Sequence, residues 1–174
     1  MKRALLLCAF AAVVASVTPA KADEFNFSFT NPLGFSGSGI FDASSLGGGL
    51  WQITGVEAGG FVSDPGALGF GTSAIVNVNG NFGADNELSF PADPTTGFFD
   101  PNGVTFGLAN GVNVNLFAAD NGNGTFSPAA INDFDNAVEF VNETVSPTPE
   151  PGSLALLGTS VLGAAGLLRR RLMA

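Results

Sequence analysis

Residues 23–150 contain no Lys, Arg or His, yet they carry all fifteen Asp and Glu residues of the chain. A body of this kind can form no internal salt bridge. Its fold has to rest on apolar packing and neutral hydrogen bonds, with the acidic groups spread over the surface or sharing divalent cations. The basic residues all sit at the two ends: Lys2, Arg3 and Lys21 in front, Arg169, Arg170 and Arg171 behind. Two short basic and apolar segments therefore bracket one acidic middle.

The charge map closes several function classes. A body without cationic side chains cannot neutralise phosphates, which excludes nucleic acid as a partner, and it has nothing to offer anionic lipid headgroups. Without His there is no Ser-His or Cys-His relay, and without Lys no Schiff base. The single cysteine, Cys8, lies in the leading apolar segment, so the middle has no disulfide and no thiolate. Zinc would have to be held by carboxylates alone, and no phosphate-binding glycine pattern occurs in a strand-to-helix context. The expectation is a protein that is not an enzyme and has no cofactor, calcium aside. Paired carboxylates could still hydrolyse glycosides, and Asp133, Asp135 and Glu139 are the nearest cluster. On a strand, Asp133 and Asp135 would share a face. The other reading is a loop before the last strand, with no Arg or Tyr to position a sugar.

The middle, 128 residues long, holds sixteen of the seventeen Phe, ample for one core. Abundant Gly and Asn disfavour helix interiors and supply turns. Residues 24–30 alternate, with Phe25, Phe27 and Phe29 on one face. In residues 35–41, Gly37 and Gly39 leave room for a neighbouring strand. Further strands are expected at 50–56, 73–78 (ending in an Asn79-Gly80 hairpin signal), 87–90 and 136–141. The clearest hairpin pairs 104–109 with 112–118 about Asn110-Gly111. Short strands at regular spacing predict an all-β fold, a single β-sandwich of jelly-roll-like form.

Two loops offer oxygen ligands for calcium: Asp100 with Asn102, and Asp120 with Asn121 and Asn123. Neither completes an EF-hand loop, and Asp and Asn in turns also bond their own backbone. Exopolysaccharide is a further candidate partner, through a calcium-assisted carbohydrate-binding surface. Sugar platforms favour Trp and Tyr; Tyr is absent and Trp51 sits in a core-like strand pattern. Asn26, Asn123 and Asn142 begin Asn-X-Ser/Thr sequons.

The ends read as addresses. Lys2 and Arg3, an apolar run over 4–17, and the small residues Ala20 and Ala22 form a signal peptide over residues 1–22. Signal peptidase and Sec-type export machinery are the partners this implies, with Asp23 as the new N-terminus. The acidic domain is expected over 23–144. Residues 145–152 form a Pro-rich linker with Pro147, Pro149 and Pro151 at alternate positions, which disfavour helix and sheet pairing. Residues 153–168 are uncharged and apolar, about 24 Å long as a helix, just short of the hydrocarbon core. Arg169, Arg170 and Arg171 open a basic tail over 169–174 that would stay cytoplasmic, leaving the acidic domain outside.

Pro149-Glu150-Pro151, the apolar run from Leu154 to Leu168 and the terminal arginine cluster resemble the PEP-CTERM sorting signal of exported bacterial proteins. The resemblance implies recognition by exosortase, a membrane-embedded cysteine transpeptidase that would cut near Pro149-Glu150-Pro151. It also implies transient anchoring in the inner membrane, then delivery to the cell surface or extracellular matrix, typically in producers of exopolysaccharide. The stretches 35–41, 103–106 and 112–117 resemble, more loosely, a β-domain common among PEP-CTERM cargo proteins, with no defined activity attached. The role expected for the body is structural or adhesive.

Overall fold

A computed structural model describes residues 24–66 and 69–148. The expected signal and transmembrane helices lie outside the described residues, among which no helix is long and apolar enough to cross a membrane. The described elements are β1 (Glu24–Thr30), β2 (Ser36–Gly47), β3 (Leu50–Val56), β4 (Phe61–Asp64), β5 (Gly71–Asn79), a 3-10 turn (Asn81–Gly83), β6 (Glu87–Ser89), β7 (Val104–Leu108), β8 (Asn113–Asp120), β9 (Phe126–Asn132), β10 (Val138–Phe140) and β11 (Asn142–Pro147). The all-β class is as the composition predicts.

The strands form one hydrogen-bonded sheet in the order β10-β9-β8-β7-β5-β4-β2-β1-β11, with β3 on β2 and β6 on β3. This replaces the two separate sheets of the expected jelly-roll-like sandwich. The reason lies in β5. Its first residues, Gly71 to Ala74, pair with β4; from Ile75 onward it pairs with β7, with a register shift between Ile75 and Asn77. A bulged strand of this kind turns a corner and carries the ladder from one layer into the next. At the other side, β10 and β11 lie at opposite ends of the pairing path, yet only Val141 separates them. Its N–H donates to the Pro128 carbonyl at 3.1 Å. The two ends of the sheet therefore meet.

The core lies inside this folded sheet. Phe25, Phe27 and Phe29 are all nearly inaccessible, and the intervening residues of β1 face solvent. Phe27 stacks on Phe41 with centroids 3.9 Å apart and rings 9° from parallel. Both also meet Phe106 of β7, at 5.8 and 6.5 Å, which ties together strands that are not neighbours in the ladder. Phe35, Phe99, Leu116 and Val114 are among the other buried side chains, each contributing roughly 1.5–3 kcal/mol. Gly37 and Gly39 do as expected: an added Cβ would stand 2.5 Å from the Phe29 ring and 2.8 Å from the Phe27 ring. Trp51 packs edge-on against Phe25 at 5.0 Å, a core role.

The Asn110-Gly111 hairpin forms, with Gly111 at φ 89° and Leu108 bonded to Val112. The Asn79-Gly80 signal does not become a hairpin. Gly80 has φ −104°, outside the left-handed region that such a turn requires. Asn79 instead accepts the Asn81 N–H on its side chain, and the 3-10 turn carries the chain on to β6.

Candidate functional site

β1 and β11 bring the two ends of the described chain together. They run antiparallel with Phe25 opposite Pro147, Phe27 opposite Val145 and Phe29 opposite Glu143. The Thr148 N–H donates to the Glu24 carbonyl at 2.9 Å. Two side-chain bonds reinforce the pair: Asn26 Nδ2 to Thr148 Oγ1 at 2.9 Å, and the Ser28 and Thr144 hydroxyls at 2.8 Å. Because bonded and non-bonded pairs alternate, Pro147 falls at a non-bonded position, where its missing N–H faces the open edge. For this reason β11 runs on through Val145, Ser146 and Pro147, three residues into the segment read from sequence as linker. Asp23–Thr148 form one compact unit. It ends one residue before Pro149-Glu150-Pro151, and β1 begins two residues after Ala22. Ala20, Ala22, Pro149, Glu150, Pro151, Arg169, Arg170 and Arg171 themselves lie outside the described residues.

The two calcium loops hold their oxygens in turns. Asp100 Oδ1 accepts the N–H groups of Asn102 and Gly103 at 2.9 and 2.8 Å. The Asn102 amide turns toward Asp85 Oδ2 at 2.7 Å. Asp120 Oδ1 accepts the Gly122 N–H at 2.7 Å, and Asn123 Oδ1 accepts both the Thr125 N–H and its hydroxyl. The Asn121 amide reaches Thr125 and Ser127. These are the bonds that Asx turns make with their own chain. The carboxylates weighed for glycoside hydrolysis are likewise engaged. Asp133 and Asp135 follow the end of β9 in a turn, so they share no strand face. Asp133 binds the backbone and side chain of Asn113; Asp135 caps the Ala137 N–H at 2.9 Å. Glu139 accepts the Asn31 amide, and burial raises its pKa, aided by Asp64 and Asp135.

The fold assembles acidic groups that no sequence spacing reveals. Glu24 stands directly opposite Asp42, and Asp42 opposite Gly55, whose missing side chain leaves room beside the carboxylate. Glu57 follows β3. One oxygen from each of Glu24, Asp42 and Glu57 lies within 4.8 Å of the others. An all-oxygen set of this kind suits a hard divalent cation in chemical terms. Near Asn102, burial raises the Glu87 pKa, followed by repulsion from Asp85 and Asp100.

Glu143 differs from the rest. It faces inward from β11, and burial pushes its pKa up to about 7, although the Phe98 N–H bonds to it and lowers it somewhat. Its Oε2 is buried without a partner.

The described body ends at Thr148, immediately before Pro149-Glu150-Pro151. Residues 147–171 match the PEP-CTERM protein-sorting motif. The match starts at the last residue of β11 and spans Pro149-Glu150-Pro151 and Arg169-Arg170-Arg171. This motif implies exosortase as the processing partner and export to the surface or exterior. No curated protein and no solved structure matches the chain.

Proposed function

We propose that this chain is an exported surface or extracellular-matrix protein with a structural or adhesive role. Signal peptidase removes residues 1–22 after Sec-type export. Residues 153–168 then hold the chain in the inner membrane, with Arg169, Arg170 and Arg171 on the cytoplasmic side, until exosortase cuts near Pro149-Glu150-Pro151. The observation that carries this reading is that the sorting motif begins at Pro147, the last residue of β11. A membrane enzyme requires an accessible stretch of chain at the outer interface, and Pro149-Glu150-Pro151 follows directly on Thr148, whose N–H makes the last described ladder bond.

The body's own chemistry supports a non-enzymatic role. The side chains that could act as acids or bases are carboxylates, and those weighed for catalysis cap turns or bond amides. For a calcium-assisted carbohydrate-binding module, one oxygen each of Asp100, Asp120 and Asn123 already accepts a backbone N–H, so these loops favour a turn role over a ligand role. The test is expression in a host with and without its exosortase. Surface delivery that is unchanged when the exosortase gene is deleted would overturn the reading.

A further inference from the structure

β11 is an edge strand with one neighbour, β1. Glu143, Val145 and Pro147 stand opposite the three phenylalanines of β1, with Val145 buried and Pro147 exposed at the strand's end. Where the pattern calls for a third apolar side chain, a carboxyl group is buried instead. One oxygen takes the Phe98 N–H, and an added Cβ on Gly97 would stand 3.3 Å from Oε1. Oε2 has no partner. None of the elements packed around it supplies a counter-charge. β1 carries only Glu24, at its far end. β9 has no titratable residue. The loop over 93–98 has Asp93, whose carboxylate is held ionised by the Thr95 and Thr96 N–H groups. The whole span 23–150 lacks any basic side chain.

A neutral carboxyl tolerates this site. An ionised one has lost its water and gained no cation, which is strongly unfavourable. The easiest relief is local, since only one ladder holds β11, while Val141 stays anchored to Pro128 and β10 to β9. We propose that Glu143 is a protonation-controlled latch: neutral, it docks β11 on β1; ionised, it lets residues 142–148 swing free about Val141. Seven extended residues add roughly 23 Å of tether ahead of Pro149. The functional consequence, a longer tether ahead of the sorting motif, rests on the export reading above. The titration midpoint near neutrality puts the change within ordinary environmental pH.

Amide hydrogen exchange on the full-length chain in detergent micelles tests the latch. Thr148 bonds to β1, so by alternation Thr144 and Ser146 do as well. After correction for intrinsic rates, their protection is expected to fall at least about tenfold from pH 6 to pH 8, while Phe106 and Leu116 of β7 and β8 keep theirs. Glu143→Gln, neutral at both values, is expected to keep β11 protected throughout. Equal β11 protection at the two pH values, the same loss in Glu143→Gln, or a parallel loss in β7 and β8 would overturn it. Wild-type protein left uncut by exosortase despite a released strand would count against the sorting reading instead, so the two failures are separable.

Discussion

The backbone N–H of Thr148 donates to the carbonyl of Glu24 at 2.9 Å, closing the last rung between the strand that opens the body and the strand that ends it. Both segments read as export signals adjoin this one rung.

The rung depends on proline phase. Pro147 sits where no ladder N–H is needed; Ser146, opposite Asn26, sits where one is. Ser146→Pro is expected to destabilise the body by about 1–3 kcal/mol through the lost bond and an orphaned carbonyl. Pro147→Ala is expected to stay within about 0.5 kcal/mol of the parent. Thermal denaturation of the two variants checks the pair.

Gly37 and Phe29 make a second sharp case. An added Cβ at Gly37 would stand 2.5 Å from the ring and 2.9 Å from the Phe61 carbonyl oxygen, so neither side can yield cheaply. Gly37→Val is expected to cost about 1–3 kcal/mol by overpacking, measured by denaturant unfolding. Gly48→Ala, in a turn with nothing within 4 Å of an added Cβ, pays only for its φ of 64°.

Asp100 acts on the backbone. Its Oδ1 holds two N–H groups, so Asp100→Ala is expected to lower stability by about 1–2 kcal/mol. The loss should be the same in millimolar calcium and in chelator, as read from melting temperatures. A loss that appears only with calcium would restore the loop as a metal site.

Glu143 sets a pH dependence of definite sign. Its folded pKa, about 7, lies above the ordinary 4.5, so the folded state holds a proton that the unfolded state has released between these values. Its contribution is fully present below 4.5 and disappears as pH rises through 7, a swing on the order of 3 kcal/mol. Glu143→Gln is expected to flatten this part of the stability profile, as measured by urea unfolding at several pH values. An unchanged slope would assign the dependence to the other carboxylates.

What the sequence discloses follows from how local each cause is. The β1 alternation, the Asn110-Gly111 hairpin and the glycines opposite Phe27 and Phe29 are legible because neighbours within a few residues settle them. β4 is only four residues long and leaves no period to read. β9 contains Pro128, which argues against a paired strand; it is tolerated because the β10 ladder covers only Ala129 to Ile131, and Val141 beyond it calls only on the proline's carbonyl. β11 was hidden for the same kind of reason, since Pro147 looks like a break until its phase against β1 is known. The grouping of Glu24, Asp42 and Glu57 depends on the register of three strands, and the burial of Glu143 depends on the 93–98 loop lying over it. Neither relationship is local, so neither has a sequence signal.

Intact mass measurement of the protein recovered from the outside of its own cells tests the central claim most directly. The expected species begins at Asp23 and ends within or beside Pro149-Glu150-Pro151, and trypsin leaves it whole because no Lys or Arg remains. A full-length chain that retains residues 1–22 and 152–174 and stays inside the cell would contradict the account.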